Sequence, residues 1–120
     1  MGGDGWQTVA PSSLAEGIFV GAPFTAQDPR PEVRAFVTAY TRKYGSTPDG
    51  NAALAYDATK LLVDAMTRAK STDPKVYIPE LKKASYKGVT GTIQFEPNGE
   101  LKNAAMTLYS YKGGKKAPVN

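Results

Sequence analysis

Residues 50–70 read GNAALAYDATKLLVDAMTRAK, and this stretch decides the fold. Leu54, Ala58, Leu61, Leu62, Ala65, Met66 and Ala69 recur at spacings of three and four, so they form one apolar stripe on a helix. Ala52, Ala53 and Ala55 put small residues on further sides, which leaves room for close packing against another helix or a sheet. Lys60, Asp64 and Arg68 lie four apart along the outer face and form helix-favouring pairs of opposite charge.

Working outward, residues 31–44 form an earlier helix. Val33, Phe36, Val37, Tyr40 and Tyr44 share one face, and Arg34, Thr38, Arg42 and Lys43 take the other. Gly45 suits the position just past its end, and Pro48 lies shortly beyond. Upstream, Ile18, Phe19 and Val20 make a short continuous apolar run, read as a buried strand over 17–22. Asp28, Pro29 and Pro31 punctuate the loop that follows. Residues 7–16 stay ambiguous, because Pro11 argues against a long helix there. Downstream, a shorter helix falls within 74–85, with Tyr77, Ile78, Leu81 and Ala84 inward. Pro79 is acceptable only in a first turn, so the regular helix is expected to begin near Ile78. Val89, Gly91, Ile93 and Phe95 then alternate with polar residues as a half-buried strand. Pro97-Asn98-Gly99 is a turn, residues 105–111 read as the last strand, and Lys112 to Lys115 as a turn or frayed end. Helices of this length beside a few short strands imply an α/β or α+β layer fold.

The chain has 120 residues, for which a single domain over 1–120 is the default. It has no Cys and no His, which excludes thiolate or imidazole zinc sites, Cys nucleophiles and Ser-His-Asp triads. Gly2-Gly3-Asp4-Gly5 lacks the spacing of a dinucleotide loop. The chain therefore reads as no enzyme, without cofactor or metal. A net charge of +4 invites a nucleic-acid reading, but Lys82, Lys83, Lys87, Lys112, Lys115 and Lys116 are spread over solvated faces and a tail, so none is expected. No apolar run reaches the ~18 to 20 residues of a membrane span, and Met1 is not followed by the basic and apolar regions of a signal peptide.

Several features taken together resemble one family. They are the helix ending in Tyr44-Gly45 with Pro48 beyond, the run Ala55-Tyr56-Asp57-Ala58, then Gly88-Val89-Thr90-Gly91 with Ile93 and Phe95, and the turn Asn98-Gly99-Glu100. In this order they resemble the carboxy-terminal part of the periplasmic substrate-binding proteins of branched-chain amino acid ABC transporters, the type I periplasmic binding proteins. The family usually has Asp where this chain has Glu96 and Glu100. The resemblance implies an α/β partial lobe, about three helices packed on a small mixed sheet, at the end of a bilobal protein that closes around its solute. It also implies a periplasmic location, a membrane permease as partner, and a small zwitterion such as leucine, isoleucine or valine as ligand. On this reading the opening Gly-Gly-Asp-Gly loop follows a sheet strand that this chain lacks.

By the same resemblance, Asp4 in that loop corresponds to the acidic residue that binds the ligand's α-ammonium, and Trp6 is placed to wall the pocket. Asp4 also reads as a helix N-cap or solvated loop acid, and Trp6 as ordinary packing. Tyr56 and Asp57 are expected in core and helix-surface roles rather than at ligand. Glu96 and Glu100 are too few oxygen donors for a calcium loop, so a plain turn is expected. A second reading makes the chain a structural or assembly module that binds no small molecule alone and forms a homodimer through open sheet edges.

Overall fold

A computed structural model describes residues 16–104, 106–113 and 115–119. In chain order these form β1 (Phe19–Ala22), α1 (Pro31–Tyr44), α2 (Gly50–Ala69), α3 (Pro74–Lys82), β2 (Ser85–Gly88), β3 (Gly91–Gln94), β4 (Thr107–Lys112) and β5 (Lys115–Pro118). The architecture is the expected α/β partial lobe. The described strands pair antiparallel in two sheets, one ordered β1-β4-β5 and one made of β2 and β3.

Local chemistry sets the helix ends. Pro31 opens α1 at a position where its missing N–H costs nothing. Gly45 closes it in the left-handed region at φ 73°, its N–H donating to the Thr41 carbonyl at 2.8 Å. Asp49 caps α2, accepting from the Ala52 N–H at 2.8 Å, an arrangement worth about 1 kcal/mol. Asp73 caps α3 by accepting from the Lys75 N–H at 2.9 Å. The helix runs through Pro79 from Pro74, instead of beginning near Ile78. The Asp73 cap and Pro74 fix the first turn independently, so a single missing donor further along does not stop it.

The main core gathers Phe24, Val33, Phe36, Ala53 and Val89, with Ala26, Val37 and Tyr40 packed against it. Phe24 meets Phe36 edge-on, with ring centroids 6.0 Å apart. A smaller cluster joins Val20 and Tyr111, with Ile18 beside them.

Four further expectations are corrected. The buried stripe of α2 is Gly50, Ala53, Asp57, Leu61 and Ala65. Leu54, expected inward, is 44% exposed, and Leu62 also faces outward. The helix is rotated from its most apolar side because Asp57 is held inside by hydrogen bonds. The run at 18–20 is not continuously buried, since Val20 and Ala22 point inward while Phe19 is 46% exposed, as alternation in a strand requires. The strand expected from Val89 begins at Gly91. Val89 and Thr90 are instead the turn of a β2–β3 hairpin, with Ser85 opposite Gln94 and Gly88 opposite Gly91. Finally, the strand ending at Lys112 is not the last, because β5 returns beside it with Ala117 opposite Ser110.

Candidate functional site

Asp4 and Trp6, the residues that the sequence points to as ligand contacts, lie outside the described residues. Two features of α2 define the chemistry that the described residues do place.

The first is a buried junction. Asp57 is 1% exposed, and its carboxylate accepts three hydrogen bonds from the hairpin turn. The Val89 N–H donates to Oδ1 at 3.0 Å, and the Thr90 N–H and hydroxyl donate to Oδ2 at 2.8 and 2.6 Å. The burial of a carboxylate is tolerated because these donors replace water. Arg30 reaches the same turn from the start of α1, donating from Nη2 to the Val89 carbonyl at 2.9 Å, while Asp28 holds its guanidinium. Gly88 completes the junction. A Cβ there would lie 2.6 Å from Asp57 Cγ, so the hairpin can approach the carboxylate only without a side chain. Asp57 and the Gly88–Gly91 stretch, two separate signals in the sequence, are thus halves of one contact. Asp57, expected in a core or helix-surface role, is the buried acceptor at its centre. The missed signal was the Gly-x-Thr-Gly pattern, whose free backbone donors require a buried acceptor.

The second feature is a groove of about 990 Å³ between α1, α2 and β2. Phe36, Tyr40, Tyr44, Tyr56 and Tyr86 line it together with alanines, among them Ala39 and Ala55. The rings of Phe36 and Tyr56 meet at a 44° tilt with centroids 4.8 Å apart, and those of Tyr40 and Tyr44 at 50° and 4.6 Å. Burial pushes the Tyr86 phenol above its ordinary value of 10.0, and the negative charge of Asp57 adds to this. Lys43 and Lys60 sit over the rings of Tyr44 and Tyr56 at 5.3 and 5.7 Å.

On its outer side α2 is stapled to α3. Arg68 bridges Asp64 and Glu80, each at 3.0 Å, and Lys83 reaches Glu80 at 3.0 Å. The hydrogen bond and charge of Lys83, then Arg68, hold the Glu80 carboxyl below its ordinary value of 4.5. Among the described residues no group of three or more His, Cys, Asp or Glu side chains is placed to hold a metal ion. Asn98 and Glu100 hydrogen-bond to one another across a plain turn, in which the Gly99 N–H donates to the Glu96 carbonyl at 2.8 Å. No described helix is long and apolar enough to cross a membrane.

A family model described as periplasmic binding protein matches residues 1–116. The chain is 27% identical over 105 residues to a leucine-, isoleucine-, valine-, threonine- and alanine-binding protein of Pseudomonas aeruginosa, covering 87% of this chain and 28% of that protein. Its fold is similar to that of an ABC transporter substrate-binding protein from Desulfitobacterium hafniense in complex with Leu. The TM-score is 0.86 and the identity 30%, over 98% of this chain and 34% of that one. It is also similar to a solute-binding protein of an ABC transporter from R. palustris in complex with benzoate. There the TM-score is 0.78 and the identity 25%, over 97% of this chain and 32% of that one. The chain therefore spans about a third of the length of these relatives.

Proposed function

Because the chain belongs to the periplasmic binding protein family, we propose that it is the closing portion of a bilobal solute-binding protein that serves an ABC-type transporter of branched-chain or related amino acids. Such a protein captures and delivers its solute and performs no covalent chemistry, in keeping with a family of binding proteins. The observation that carries the reading is the TM-score of 0.86 to a relative in complex with Leu, over 98% of this chain. The 120 residues form one domain-sized unit of the larger protein, which works in the periplasm with a membrane permease as partner. Closure of the two lobes about hinge strands traps the solute, since contacts to both lobes favour the closed form. Asp4 receives the ligand's α-ammonium and Trp6 walls the pocket. The benzoate complex of a relative supports a ligand class that extends beyond aliphatic amino acids.

Titration calorimetry of the chain with leucine, isoleucine, valine, threonine, alanine and benzoate tests this. Saturable heat that Asp4→Asn abolishes for the amino acids supports the reading. No heat across the panel overturns it for the chain by itself.

A second reading, self-association without small-molecule binding, is favoured by the outer edge of β1. That edge carries the exposed Phe19 and pairs with no other strand among the described residues. Light scattering at rising concentration distinguishes the two, because this reading requires a dimer mass and no ligand heat.

A further inference from the structure

The turn Asn98-Gly99-Glu100 carries a reactive pair that solute binding does not use. The chain has asparagines at 51, 98, 103 and 120, and only Asn98 precedes a glycine. A backbone nitrogen that follows an asparagine is a nucleophile placed one bond from the side-chain amide. A glycine leaves that nitrogen unshielded, because it has no Cβ.

The local fold presents this pair to water. Pro97, Asn98 and Gly99 form the three-residue tip of a short hairpin arm. The Glu96 N–H donates to the Glu100 carbonyl at 2.8 Å, Phe95 bridges Leu101, and the Lys102 N–H donates to the Gln94 carbonyl at 2.8 Å. Gly99 lies at φ 90°, the left-handed position that such a tip requires. Residues 97–100 are all exposed.

The same turn restrains the reacting atoms. The Gly99 N–H donates to the Glu96 carbonyl at 2.8 Å. Asn98 Oδ1 accepts from the Glu100 N–H at 3.1 Å, and Asn98 Nδ2 donates to Glu100 Oε2 at 3.0 Å. Ring closure has to release these contacts. They lie at an exposed loop tip, where local opening costs little. The other described sites are better protected. The nitrogen after Asn51 belongs to Ala52 and donates to the Asp49 cap at 2.8 Å inside α2. The nitrogen after Asn103 is shielded by the Cβ of Ala104. Asp49-Gly50 could close the same ring by losing water, but Gly50 is buried at the start of α2.

We propose that Asn98 is a site of spontaneous deamidation, with the 96–100 turn as its brake. The Gly99 nitrogen gives up its proton and bonds to Asn98 Cγ. The bond from Cγ to Nδ2 breaks, and Nδ2 leaves with a proton as ammonia, which produces a cyclic imide. Water then opens the imide. Attack at the side-chain carbonyl gives aspartate, and attack at the backbone carbonyl gives isoaspartate. Nothing is oxidised or reduced. The aspartate product adds a charge between Glu96 and Glu100. The isoaspartate product lengthens the backbone by one methylene, so the hydrogen bonds of Gly99 and Glu100 to Glu96 lose their register.

Peptide mapping by mass spectrometry tests this, on the full chain incubated in mildly alkaline buffer with and without urea. Conversion at Asn98 to both products is expected in the native chain, ahead of Asn51 and Asn103. It should run about two- to tenfold slower than in urea, the net strength of the one hydrogen bond that holds the Gly99 N–H. In urea, where the backbone strain of residue 99 no longer matters, Gly99→Ala should slow conversion severalfold by shielding the nitrogen. Hydrogen exchange of the Gly99 amide should quicken in the isoaspartate product. Conversion in urea but none in the native chain overturns the proposal, and so does conversion of Asn103 at the same rate as Asn98. Equal rates in the native chain and in urea overturn the turn's role as brake. An unchanged rate for Gly99→Ala in urea overturns the imide route.

Discussion

Helix α2 presents two neighbouring faces that meet the rest of the chain in opposite ways. Along one, Ala53, Asp57, Leu61 and Ala65 are buried, and the single charge among them is enclosed by three hydrogen bonds from a turn that is distant in sequence. Along the other, Ala55, Tyr56 and Lys60 open onto a groove whose aromatic rings contact one another more than they contact a covering layer. The polar residue lies inside and much of the aromatic surface lies outside, the reverse of what hydropathy alone implies. Burial here follows satisfied hydrogen bonds rather than side-chain polarity.

Four measurements break or sharpen this contrast. The largest effect belongs to Asp57→Ala, which strands the Val89 and Thr90 N–H groups in a buried place. A loss of about 3 to 5 kcal/mol is expected in urea unfolding, at about 1 to 3 per stranded donor and more for the cavity. A loss under about 1 kcal/mol would mean that the junction does not hold the hairpin. Gly88→Ala attacks the same junction sterically, and about 2 to 3 kcal/mol is expected from the displaced carboxylate. The open face should behave differently. Tyr44, 59% exposed at the mouth of the groove, should tolerate replacement by Ala within about 0.5 kcal/mol in the isolated chain. A larger loss would show that the groove is already covered. The smallest effect is set by the solvent-side staple. The Glu80 carboxyl is held below 4.5 by Lys83 and Arg68, so its contribution is present above that pH and fades as pH falls through the lowered folded-state value. Thermal melts of the wild-type chain and of Glu80→Gln should converge at low pH and in high salt, because the pairs are exposed and screened.

The sequence made the helices legible because their ends are marked by local chemistry. Pro31, Gly45 and Asp49 act within one turn of themselves, and the bounds of α1 match the expectation residue for residue. Pairings that depend on distant partners were not legible. Tyr86 and Gly88 belong to a strand only because Ile93 and Gly91 lie opposite them. Residues 115–118, KKAP, carry no alternation that would mark a strand, and their order comes from β4. For the candidate site, the run around Tyr56 and Asp57 and the Gly88–Gly91 stretch were both visible as motifs, but their contact was not. A lone carboxylate on a helix reads as surface until its donors are found. The groove was hidden for a similar reason, since it exists only where Phe36 of one helix meets Tyr56 of another.

The register of β1 against β4 has a further consequence. Ala22 sits directly opposite Thr107, so the chain departs for its long helical excursion and returns at adjacent points. Paired residues on antiparallel strands lie only about 4.5 to 5.5 Å apart. Everything between them is, in the sense of connectivity, a cassette whose two ends nearly touch. Because β1 and β4 hold the two ends of that segment side by side, closing the long loop between them costs little beyond pairing the strands themselves.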